Sequence, residues 1–335
     1  MKLTKKLLLL SLFFGSLTSC LITDYTRTFQ VEIMKPAILN IPKEVKTIAI
    51  VDQSNQPIDA LKFINIDETK KINNLKIKDP GVSEITLEAL SNFLIENKYF
   101  ANVINYKTSL DSIWILSNAP STSELFEKTK SDMCILLKDF HLNHLAMNIG
   151  DYSVQANAHL VWDIISKSDS TYYTYNQQDT LIYTIEQFPQ YFNGKNGLSR
   201  MAINSSEYLG NYFGSRIIPS WLTVERLYYQ SKNQRMLMAE KYAMNNDWLK
   251  AAELWRKEIN NKNKTIAAKA CYNMALACEM EGRLDPAIDW LVQSYSVLTK
   301  YNKEHQANCQ RYINVLALRK KEIEKLERQV RSEKD

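Results

Sequence analysis

The chain has 335 residues, 45% of them hydrophobic, and a formal net charge of +5. That length holds two domains, and the apolar content is enough for a packed core. Only eight glycines occur, and no stripe of Lys and Arg alternates with aromatic residues, so disordered and nucleic-acid-binding classes are excluded. Lys2, Lys5 and Lys6 supply three of the positive charges, and without them the net charge is +2.

Those lysines begin an ordered N-terminal segment: a basic start, the apolar run Leu7 to Phe14, then Leu17-Thr18-Ser19-Cys20. Basic, apolar and small residues in that order form a secretory signal. A plain transmembrane anchor is the alternative, but spanning a bilayer takes roughly 20 apolar residues and this run is shorter. A soft sulfur nucleophile at the end of such a signal is suited to form a stable thioether. Leu17-Thr18-Ser19-Cys20 resembles the lipobox of bacterial lipoproteins, which implies cleavage after Ser19 and acylation of Cys20 with chains such as palmitate. One acyl chain holds a protein only marginally, at about 0.8 kcal/mol per buried methylene, whereas the several chains implied here anchor it durably. Leu21 stands where an Asp would mark inner-membrane retention. The resemblance therefore implies the outer membrane, and the lack of an acidic cluster after Cys20 favours its periplasmic face.

Residues 20–230 read as an α+β domain, a mixed β-sheet with helices on one face. Phe29 to Ile33 alternates as a half-buried strand and Val45 to Val51 is a buried one. The short stretch from Cys20 to these strands places this domain near the membrane. Asp79-Pro80 opens a helix to about Asn97, and Tyr99 to Tyr106 is a strand. Ser121-Thr122-Ser123-Glu124 has the form of a capping box for a short helix, and Cys134 to Phe140 is a third apolar strand. The clearest strand carries Val154, Ala156, Ala158, Leu160, Trp162 and Ile164 on one side, and Thr171 to Tyr183 returns as its hairpin partner. A helix from about Leu198 to Ser215 follows, and Trp221 to Tyr229 is expected to rejoin the sheet. This order resembles the α/β domain of the curli-secretion channel lipoprotein and the N-terminal part of the Tol-system propeller protein.

Residues 231–335 read as an all-α domain. Ala275, Gly282, Ala287 and Leu291, with Ala239, Ala251 and Trp255 upstream, are spaced as in a tetratricopeptide repeat, which the region resembles. The offset from Ala239 to Ala275 is 36 residues against a repeat length of about 34, so residues 260–264 hold a small insertion. Glu258 departs from the pattern, standing where a small residue belongs. A helix from about Lys303 to Val330 caps the pair. Lipobox first and repeats last, the chain resembles a family of uncharacterised Gram-negative lipoproteins, carried by Tyr272 to Gly282 and by Pro219-Ser220-Trp221 before Arg226-Leu227-Tyr228-Tyr229.

Chemistry is sparse. His141 and His144 follow a strand, where residues three apart point to opposite faces, so no metal site is expected. His159 lies on the polar side of its strand. No phosphate-cradling glycine loop, G-x-S-x-G elbow or CxxC exists, and no cofactor is expected. Cys271 and Cys278, seven apart on one helix, are roughly 10 Å apart and cannot bond. Cys134, Cys271, Cys278 and Cys309 read as buried thiols.

The expected function is a non-enzymatic, membrane-anchored scaffold that binds an envelope protein or peptide through its repeats. A subunit of an envelope assembly or secretion apparatus is the alternative, and an envelope enzyme a third. The tetratricopeptide resemblance places Met236, Glu240, Lys269, Tyr272, Leu276 and Glu279 in the partner-binding groove. The opposing expectation is that the sheet domain or the C-terminal helix folds into this groove and makes those residues ordinary core.

Overall fold

The computed structural model describes residues 26–54, 60–66, 72–106, 122–149, 151–167, 172–298 and 302–329. The signal segment, Cys20 and Ser121 lie outside the described residues. The chain forms a mixed β-sheet domain and an all-helical region, in two compact units: 34–222 with 322–335, and 1–33 with 223–321. These units do not follow the expected division at 230/231, because the N-terminal strand groups with the helical repeats and the C-terminal residues group with the sheet.

In the sheet unit, β6 (Met133–Ile149) is the spine, and a register irregularity between Leu137 and Asp139 divides it. Before that point β2 (Thr47–Asp52) pairs with it in parallel, and beyond it β3 (Ala60–Ile66) does. β5 (Asn102–Tyr106) extends β2, and β4 (Ile72–Lys78) makes an antiparallel hairpin with β3. On its other edge β6 runs antiparallel to β7 (Asp151–Ser166), which pairs with β8 (Tyr172–Thr184). The alternation from Val154 to Ile164 is realised in full, all six side chains being buried.

Strand periodicity separates two cores. Ile48, Ile50, Ile135, Leu137, Leu160 and Trp162 meet Leu90 and Leu94 of α1 (Val82–Glu96), and Leu209 and Phe213 of α3 (Gly194–Ile217). The intervening Ala49, Val51, Cys134 and Leu136 meet Leu125 and Phe126 of the short α2 (Thr122–Thr129). The two long helices thus share one face, and α2 covers part of the other. α1 and α3 touch backbone to backbone: a Cβ on Gly210 would lie 2.1 Å from the Thr86 carbonyl oxygen and 2.9 Å from Ala89 Cβ. Thr86 Oγ1 also donates to the Ser206 carbonyl at 3.2 Å.

In the repeat unit, β1 (Thr26–Lys35) pairs with β9 (Ser220–Tyr229) as a separate two-stranded sheet. The expectation that Trp221 to Tyr229 rejoins the large sheet is therefore corrected. Four helices follow as two hairpins: α4 (Gln234–Met244) with α5 (Trp248–Arg256), and α6 (Lys264–Met280) with α7 (Leu284–Val297). α8 (Lys303–Gln329) comes last. The 36-residue offset holds position by position. Ala239 and Ala275, and Ala251 and Ala287, are all fully buried, so small side chains occupy matching positions in the two hairpins. Asn246 (φ 61°) and Gly282 (φ 71°) both adopt the left-handed turn conformation that these two residue types tolerate.

Glu258 explains the irregular first hairpin. Its buried carboxylate accepts from Arg235 Nη1 at 2.6 Å, Asn261 Nδ2 at 2.6 Å and Asn233 Nδ2 at 3.1 Å. Burial works to raise its pKa, but these donors hold it below the ordinary value. Its counterpart in the second hairpin, Ser294, is small and donates to the Ala268 carbonyl at 2.8 Å.

Candidate functional site

The site that the sequence singled out is the concave face of the repeats, and the chain's own strand occupies it. Arg226, Tyr228 and Tyr229 of β9 bond to side chains of α4, α6 and α8, and each expected groove residue meets either the strand or the core. Met236 and Leu276 are buried among apolar neighbours. Glu240, half-buried, accepts from Tyr228 O–H at 2.9 Å and Gln230 Nε2 at 2.6 Å. Lys269 Nζ donates to the Gln230 carbonyl at 3.4 Å and lies 5.6 Å from the Tyr229 ring. Tyr272 packs its ring against the Tyr229 edge at 4.9 Å. Glu279 is clamped by Arg226, whose Nε and Nη2 approach its carboxylate at 2.9–3.0 Å, and also accepts from Tyr312 of α8. The expected groove residues are brought together, but as an interior.

One further residue, missed in the sequence, sets the strand's position. Asn273 Oδ1 accepts from Tyr229 N–H at 2.9 Å, and Asn273 Nδ2 donates to the Tyr229 carbonyl at 2.8 Å. A helix has no free main-chain groups to offer an adjacent strand, so a side-chain amide supplies both. Asn308 Nδ2 adds a bond to the Tyr229 hydroxyl at 2.8 Å.

Electrostatics follow from enclosure. Burial opposes the Arg226 charge, but the Glu279 carboxylate keeps its pKa above the usual value. Tyr312, fully enclosed beside Glu279, has its pKa pushed far up by burial and the neighbouring negative charge. Ser294, His305 and Cys309 also converge: His305 Nε2 lies 3.0 Å from Ser294 Oγ and 3.5 Å from Cys309 Sγ. This is not a nucleophile in waiting, because all three are buried and burial raises the Cys309 thiol to about 11. Cys134, Cys271 and Cys278 are likewise free, buried thiols with raised pKa values.

In the sheet unit, His141 is exposed while His144 is buried, so the H-x-x-H pair diverges. His141 faces His159 across the strands with ring centroids 6.4 Å apart, and Asp139 Oδ2 lies 3.2 Å from His141 Nε2. Among the described residues no group of three His, Cys, Asp or Glu is placed to hold a metal ion. His144 stacks on Phe63 at 4.2 Å, and neither ring nitrogen has a hydrogen-bond partner among the described residues. Burial lowers its pKa to about 4.

The fold defines a two-unit α+β protein whose helical repeats are closed on a strand of the same chain. It belongs to the family described as domain of unknown function DUF8603, whose model matches residues 45–229. A second model, domain of unknown function DUF6340, matches residues 237–318, covering both helical hairpins. No curated protein matches the chain. Among solved structures, a PelC dodecamer from Paraburkholderia phytofirmans is 11% identical, covering 57% of this chain and 99% of its own, with a TM-score of 0.25. A minor lipoprotein from Acinetobacter baumannii is 7% identical, covering 53% of this chain and 98% of its own, with a TM-score of 0.23. Among the described residues no helix is long and apolar enough to cross a membrane.

Proposed function

We propose that the protein is a non-enzymatic scaffold of the cell envelope, held at the periplasmic face of the outer membrane through acylated Cys20. The observation that carries this reading is the segment Leu17-Thr18-Ser19-Cys20 after a basic and apolar leader. The filled groove refines the role. A peptide-holding surface spent on residues 226–230 serves cohesion of the repeat unit, so envelope proteins or peptides engage the outer surfaces of the repeats instead. The buried cysteines and the enclosed Ser294–His305–Cys309 cluster support a non-catalytic reading.

Metabolic labelling with a clickable fatty-acid analogue tests the anchor. The native chain is expected to take up label and fractionate with outer membranes, and Cys20→Ser to lose both. Label retained on Cys20→Ser overturns the reading.

A further inference from the structure

We infer that the turn between α4 and α5 is a membrane-contacting surface, seated on a bilayer with anionic headgroups. The inference rests on acylation of Cys20 as proposed above.

Tether length is the first observation. Five residues lie between Cys20 and Thr26, where β1 begins, so the two Cα atoms can be at most about 20 Å apart. That is shorter than the diameter of a unit of roughly 100 residues, whose radius of gyration alone is about 13 Å. The first eight residues of β1 belong to the repeat unit, so the anchor leads directly into the repeats and not into the sheet. This corrects the expectation that the sheet domain is tethered first.

The second observation is what lies beside that strand. Phe29 of β1 sets its ring against Trp248 at 4.9 Å, edge to face, and Trp248 opens α5. Around this contact the turn presents bare apolar side chains: Leu249 is 60% exposed and Met244 57%, with Leu237 at 44% two turns back toward the start of α4. Leu237, Lys241 and Met244 are spaced four and three apart and share one helix face.

Charge is the third. Residues 232–264 hold eight Lys and Arg against four Asp and Glu, more net positive charge than the whole chain has without Lys2, Lys5 and Lys6. Lys241, Lys250, Arg256, Lys257, Lys262 and Lys264 are exposed, as is Arg27 on β1. Apolar tips within a basic rim suit an anionic lipid surface, where each Lys or Arg near the headgroups contributes about 1 kcal/mol, or about fivefold.

The experiment uses the acylated full chain in vesicles of phosphatidylethanolamine with phosphatidylglycerol. The four described cysteines are buried, so a bimane fluorophore on Leu249→Cys reports one site. Val292→Cys, 51% exposed on α7, is the reference. Nitroxide-bearing lipid is expected to quench bimane at 249 strongly and at 292 little. Exchanging phosphatidylglycerol for phosphatidylcholine, or adding Lys241→Glu, is expected to weaken the docked state about fivefold per lost charge contact. Equal quenching at 249 and 292 while the protein still floats with vesicles overturns the surface and leaves the anchor standing. Loss of flotation together with loss of acyl label overturns both. Quenching that follows protein density and not lipid composition assigns the face to a second copy and overturns the inference.

Discussion

The two units build their interiors by different means. The sheet unit buries aliphatic and aromatic side chains between strands and helices whose backbones are already bonded, and its buried polar residues are mostly serines and threonines, with Asp52 and Asp163 the buried charged ones among the described residues. Trp162 stacks on Phe213 at 4.2 Å and donates to the buried Gln177 at 2.9 Å, and His144 is buried on Phe63. The repeat unit instead encloses Arg226, Glu279, Asn273, Asn308, His305 and Ser294. The contrast traces to what each surface offers a strand. A sheet edge supplies amide and carbonyl groups in register, whereas a helix presents only side chains, so a strand laid in a helical groove needs amides and charges from those side chains. Burial of charged side chains is the cost of packing a strand against helices.

That comparison is most directly broken at the ion pair. Arg226→Ala leaves Glu279 buried without its bidentate partner, and a loss of about 3–5 kcal/mol is expected by chemical denaturation. The double change Arg226→Met with Glu279→Leu removes both charges and is expected to recover most of it. No recovery would place the stability in the geometry of the pair and not in the avoidance of an unpaired charge.

The interior of the sheet unit has its own weak point in His144. Its folded pKa of about 4 lies below the ordinary 6.5, so the unfolded chain binds a proton that the folded unit refuses. Stability is full above pH 6.5 and falls as the pH drops toward 4, by about 3 kcal/mol at most. Denaturation midpoints across that window are expected to decline for the native chain and flatten for His144→Phe. An unchanged slope in the variant assigns the effect to other groups.

Gly210→Ala tests packing at the smallest scale. Its Cβ meets the fixed Thr86 carbonyl oxygen, so α1 and α3 must separate at a cost of about 1–3 kcal/mol. At Gly214 the obstacle is the Phe93 ring, 2.6 Å from the same kind of Cβ, and a ring can turn aside. Gly214→Ala is therefore expected to melt closer to the native chain.

Periodic features were legible in the sequence. The β7 alternation and the 36-residue repeat are local patterns. α1 was legible too, but it starts at Val82 with Gly81 at the cap, two residues beyond the expected Asp79-Pro80 start, and Asp79 Oδ1 accepts from the Gly81 and Val82 N–H groups. The β3–β4 hairpin was not read, because of its described side chains only Leu61, Phe63 and Ile77 join the core and the rest carry no clear alternation. The destination of β9 was invisible for a different reason. Nothing in Trp221 to Tyr229 distinguishes pairing with β1 from pairing with the large sheet, since the choice depends on contacts far along the chain. Asn273 gave no signal either: an Asn inside an apolar helix is unremarkable until the strand it holds is in place. A hint lay in the groove residues, where Lys269 and Glu279 flank Tyr272 on one helix and ask for internal partners.

Each unit is discontinuous in the chain, and this sets an order of events. β1 finds its partner only when β9 exists, some two hundred residues later. In the sheet unit the closure comes later still: the Gln329 side chain bonds Ala37 N–H at 2.9 Å and the Leu39 carbonyl at 2.9 Å, across 292 and 290 residues of sequence. Contacts of such long separation form slowly, because loop-closure entropy is lost before they reward it. A nascent chain therefore has no finished unit to lock until its last helix is made. Under the export proposed above, such late closure keeps the chain threadable until its last residues have crossed.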